Sequence, residues 1–149
     1  MPPSKESSER GSASLEFITA GVLLLVPLVY LILVISALQA ATFAVEGAAR
    51  QASRVFVRAP TEQDARDAAN RAIAFALSDY GVEPARAEVS IACTPHPAEC
   101  LTRRGYVTVT VDVEVSLPLV PAAISISTPL AVTVSASASQ QVSRFWTGG

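Results

Sequence analysis

Imidazole and thiol are nearly missing from these 149 residues, with one His and two Cys. That leaves little material for a metal centre or a nucleophile–base pair. Charge is scarce as well. Asp, Glu, Lys and Arg make up 16% of the chain, below the usual quarter of a soluble domain. Lys and Arg number 11 against 13 Asp and Glu, so no basic excess exists to displace counterions, and a nucleic-acid partner is disfavoured. A hydrophobic share of 50% excludes a disordered chain. There is no internal repeat, no Gly-rich phosphate loop and no basic aromatic stripe. His96 lies in a Pro-rich loop without a Ser or Asp suited to a triad. Asp112 and Glu114 share one strand face, where solubility explains them better than catalysis does. The expectation is a single membrane-attached domain with no catalytic residue and no cofactor.

What the chain does have is a long uncharged run. From Phe17 to Val45 there are 29 residues without a charge, densest in Leu, Val and Ile between Val22 and Leu38. A helix needs about 20 apolar residues to cross a bilayer. The rival reading is a cleaved secretory signal, whose apolar core has about 7–15 residues and ends in a small-residue site. This run is longer, and only Leu38-Gln39-Ala40 offers a weak site. Residues 1–11 (MPPSKESSERG) are polar, Ser- and Pro-rich, and expected not to fold.

Gly11 is followed by Ser12-Ala13-Ser14-Leu15-Glu16-Phe17, and then the run begins. A carboxylate at the mouth of a membrane helix is costly unless compensated, and such residues are functional by default. Its plain alternative is a first-turn acid that favours the helix dipole in an ordinary signal anchor. Gly, four residues, then Glu-Phe at the head of an apolar helix resembles the processing signature of type IV prepilins. The stretch from Gly11 to Val57 is similar to TadE-type minor pseudopilins of tight-adherence (Flp) pilus systems. The resemblance implies a cut between Gly11 and Ser12 by a membrane prepilin peptidase. It implies that Glu16 and Phe17 serve recognition and assembly, with Glu16 neutralising the Ser12 ammonium of a neighbouring subunit. It further implies other pilin or pseudopilin subunits and an inner-membrane assembly platform as partners, in addition to membrane lipid. One departure is the leader, where Glu6 and Glu9 cancel Lys5 and Arg10.

Orientation holds a conflict. Arg50, Arg54 and Arg58 lie within 13 residues of Val45, which by the positive-inside count favours a cytoplasmic C-terminal side. The leader motif and the cysteine pair favour the opposite, and the expectation follows those two. The boundaries are a leader over 1–11, a long helix over 12–58 with 17–45 in the membrane, and an extracytoplasmic head over 59–149.

The Ala-rich, Pro-free stretch from Ala40 to Val57, with Glu46 four residues before Arg50, extends the first helix beyond the membrane, and a helix from Ser14 to Arg58 is expected with a kink at Pro27. Gly47, Ala48, Ala49 and Ala52 are small enough for close approach, although helix propensity alone explains the alanines. Pro60 ends the segment. Thr61 caps a second helix, in which Ala65, Ala68, Ala69, Ala72, Ile73, Ala76 and Leu77 recur at helical spacing and Gly81 is the stop. Three period-2 segments follow. They are Ala87 to Cys93, Val107 to Val115, and Leu130 to Ser139, each with one apolar and one polar face. Together these predict an α+β, pilin-like fold: a long transmembrane helix running into a head with a second helix and a three-stranded antiparallel sheet. The uncharged loop from Leu117 to Ile124 either packs on the core or forms a contact surface. Trp146 either sits at lipid headgroups or covers the end of the sheet.

Cys93 and Cys100 bracket a loop stiffened by Pro95 and Pro97. In an exported domain an even number of Cys reads as a disulfide. The rivals are free thiols and a metal site of Cys93, His96 and Cys100, which lacks a strong fourth ligand.

Overall fold

Ala, Leu and Val without an internal breaker other than Pro27 favour one uninterrupted helix, and a computed structural model, which describes residues 9–118 and 131–147, has α1 over Glu9–Phe56. It begins earlier than expected: Glu9, Arg10 and Gly11 are helical rather than irregular. Residues 1–8 lie outside the described residues. The chain divides into two units, Met1–Ser36 and Ala37–Gly149, and α1 contributes to both.

The second unit carries the α+β layout. Helix α2 spans Glu62–Asp79, a short 3-10 turn spans Pro84–Arg86, and the strands are β1 (Ala87–Thr94), β2 (Tyr106–Ser116) and β3 (Ala131–Gln141). Thr61 is the N-cap as its sequence suggests. Its hydroxyl accepts the Asp64 N–H at 3.1 Å and donates back to the Asp64 carboxylate at 2.7 Å. At the other end Gly81 takes φ +70°, and the Gly81 and Val82 N–H groups donate to the Ser78 and Leu77 carbonyls. This paired closure needs a left-handed residue, which Gly adopts at least cost.

The strands pair antiparallel in the order β1-β2-β3, with Val89 opposite Val111 and Val111 opposite Ala136. Period 2 places Val107, Val109, Val111 and Val113 on one face of the central strand, and all four are buried. They share a core with Ala44, Val45, Ala48, Ala49, Ala52 and Phe56 of α1 and with Ala65, Ala69, Ile73 and Leu77 of α2. Each buried Val contributes about 1.5–3 kcal/mol relative to exposure. The alanines of α1 are therefore core residues as well as helix formers, whereas Gly47 faces open space. Val89 and Ile91 on β1, and Val134, Ala136 and Ala138 on β3, are only partly buried against the same core. On the outer face Glu88 stands opposite Asp112, a like-charge pair tolerable only where water screens it.

Gly105 marks the entry to β2. A Cβ there would meet the Thr102 carbonyl oxygen at 3.0 Å and that of Thr94 at 3.2 Å, so the backbone needs the missing side chain.

Candidate functional site

Two features of the chain are candidates for function, and they lie in different units. The first is the N-terminal part of α1. From Leu15 to Ile35 the large apolar side chains are exposed apart from half-buried Tyr30 and Val34, with Phe17 at 81%, Leu24 at 74% and Ile32 at 58%. A helix this apolar and this exposed has the length and composition to cross a membrane. The polar Thr19 hydroxyl inside the stretch is satisfied by donating to the Leu15 carbonyl at 2.7 Å.

The uncharged run does not stay exposed to its end. Ala41, Ala44 and Val45 are at most 1% exposed, packed within the second unit. The 29-residue run is thus divided. Phe17 to Ser36 offers 20 residues, about 30 Å of helix, which equals the hydrocarbon thickness. Ala37 to Val45 belongs to the compact second unit. Hydropathy cannot separate the two parts, because lipid and protein core select the same side chains.

Glu16 is exposed at the N-terminal edge of that stretch, in a shallow depression with Leu15, Thr19, Ala20 and Leu23. Phe17 follows it. Gly11 and Ser12 fall in the first turns of α1, where only the backbone is described. Glu46 and Arg50 form the expected i,i+4 pair at 2.9 Å, which is exposed and contributes a few tenths of a kcal/mol.

The second feature is in the head. Cys93 and Cys100 are joined by a disulfide with Cα atoms 5.1 Å apart, and both are buried. The sulfurs bind each other, which removes them as thiolate ligands to a metal. The Glu62 carboxylate, in the first turn of α2, accepts the Cys100 N–H at 2.7 Å and ties the bridged loop to the helix. Trp146 does not stand free. Its indole N–H donates to the Ala59 carbonyl at 3.0 Å, its own carbonyl accepts from Arg103 Nε at 2.8 Å, and its ring packs against the core. Of the two sequence alternatives for Trp146, the protein contact is the one observed.

These ties bring three distant segments around one cavity of about 410 Å³, lined by Glu62, Glu99, Leu101, Thr102, Arg103 and Trp146. The sequence reading did not find it. The only signal was the position of the sole Trp beside basic and aromatic neighbours in an otherwise polar tail. Of the apolar Leu117–Ile124 loop, Leu117 and Pro118 are half-buried, and the rest lies outside the described residues.

No protein-family model, curated protein or solved structure matches the chain.

Proposed function

We propose that this chain is a minor pilin-like subunit of a tight-adherence type of pilus system, processed after Gly11 and held in the membrane by Phe17 to Ser36. The observation that carries the reading is the exposed carboxylate of Glu16 at the head of an exposed apolar helix of bilayer length, five residues after Gly11. Such a charge has to be neutralised once the helix is withdrawn from water, and a neighbouring subunit's new Ser12 ammonium supplies the counter-charge. The role is structural: helices leave lipid and pack together, with Glu16 setting their register. The peptidase, the other subunits and the membrane platform are the partners this role requires.

An extracytoplasmic head is supported by the disulfide, which persists in oxidising compartments. The division of the uncharged run also weakens the opposing charge count. Counted from Ser36, Arg54 and Arg58 fall 18 and 22 residues away inside a folded unit, and Arg50 is paired with Glu46. The positive-inside rule counts Lys and Arg within about 15–20 residues of the span and gives acids little weight, so Arg58 drops out of the count while Arg50 and Arg54 still stand against this topology.

The test is the N-terminus and intact mass of the protein from membranes of cells carrying the matching peptidase. The expected chain begins at Ser12. A chain retaining Met1 identifies a plain signal-anchored exported domain, and a start near Ala41 identifies a cleaved signal. Glu16→Ala is expected to be processed normally and to fail in assembly, read as loss of subunit from sheared surface fractions.

A further inference from the structure

We propose that the cavity between the disulfide loop, the first turn of α2 and Trp146 binds a neutral saccharide. Several of its lining side chains make contacts that leave specific groups unused. The Trp146 indole N–H is spent on Ala59, so the ring offers the cavity apolar surface rather than a donor. Arg103 spends Nε on the Trp146 carbonyl, which leaves its two terminal nitrogens, and Glu62 spends one oxygen on Cys100, which leaves the other. The Thr102 hydroxyl donates to the Glu99 carbonyl at 2.7 Å and keeps its acceptor lone pairs. Glu62, Glu99 and Arg103 line the same cavity, yet among the described residues none forms an ion pair with another.

That combination selects the ligand. Two carboxylates disfavour an anion, and the guanidinium disfavours a simple cation. A polyhydroxylated neutral ring satisfies both, donating hydroxyls to Glu62 and Glu99 and accepting from Arg103, while its C–H face lies on Trp146. Hydrogen bonds to charged partners are the strong ones, so a few of them orient a small ligand. The volume falls within the range of ordinary small-molecule sites, and Glu62, Arg103 and Trp146 are each held by a hydrogen bond to another part of the fold. Occupancy does not require a filament, so the site is independent of the proposed assembly role.

Trp146 is the sole tryptophan of the chain, which makes its emission a direct report from the cavity. The experiment titrates the full-length protein, in a detergent without sugar headgroups, with a panel of free hexoses, N-acetylhexosamines and their disaccharides. The expected result is a saturable change in emission with at least one saccharide, with affinity weakened on the order of tenfold in Glu99→Gln and in Arg103→Lys. Glu99 contributes only its backbone to the fold contacts seen here, so its variant is expected to keep the wild-type melting temperature. Absence of a saturable response across the panel overturns the proposal. So does a response that both variants retain undiminished. A response to an Arg- and Lys-rich peptide in place of any saccharide also overturns it, and assigns the cavity to a protein partner.

Discussion

Single residues account for the ends of α2 and for much of the stability argument. Thr61 and Asp64 exchange hydrogen bonds at the N-terminus, and Gly81 closes the C-terminus with positive φ. Removing the cap in Thr61→Ala is expected to cost about 1 kcal/mol. Thermal unfolding followed by circular dichroism in detergent checks this, and an unchanged midpoint would contradict the role given to Thr61. Both ends were legible in the sequence, because a cap and a stop are local chemistry between residues three to five positions apart. Trp146 is the opposite case. Its partners Ala59 and Arg103 lie 87 and 43 positions away, and no local pattern announces contacts of that range.

At the scale of elements, the alternating Val and Thr of β2 predicted both its extent and its inward face, and four of the five inward valines are buried, with Val115 partly so. The same alternation failed to say how completely each strand would be covered. Half-burial of the inner residues of β1 and β3 depends on where the helices lie across the sheet, which is tertiary information. The loop between β1 and β2 depends on its bridge. Replacing both cysteines, Cys93→Ser with Cys100→Ser, is expected to cost about 2–3 kcal/mol through the added freedom of the unfolded loop. It should also loosen the Cys100–Glu62 tie and with it the Trp146 cavity. Comparing urea midpoints and Trp emission of the variant and parent separates the two effects. A variant with parental stability and parental emission would deny the bridge both roles.

For the molecule as a whole, the uncharged run was visible at once and its division was not. Lipid and protein core both accept Val, Leu and Ala, so only packing reveals that Ala41, Ala44 and Val45 are taken by the second unit while Leu23, Leu24 and Leu25 face outward. The two parts respond to different substitutions. Leu25→Arg puts a charge near the centre of the proposed span, costing about 2.5–3.5 kcal/mol of insertion, and is expected to shift protein into the carbonate-soluble fraction. Ala44→Leu should leave that fraction unchanged and overpack the head by about 1–3 kcal/mol, lowering the unfolding midpoint. Equal effects of the two variants on membrane retention would mean that the run works as one piece.

The shared core of α1 and β2 also sets an order of events during synthesis. Ala44, Ala48 and Ala52 leave the ribosome some sixty positions ahead of Val107, Val109 and Val111, which share their core. Contacts so far apart in the chain form slowly, because the intervening loop must close first. The early stripe therefore stays uncovered while the rest of the chain is made, and the second unit gains its interior only when its last strands arrive.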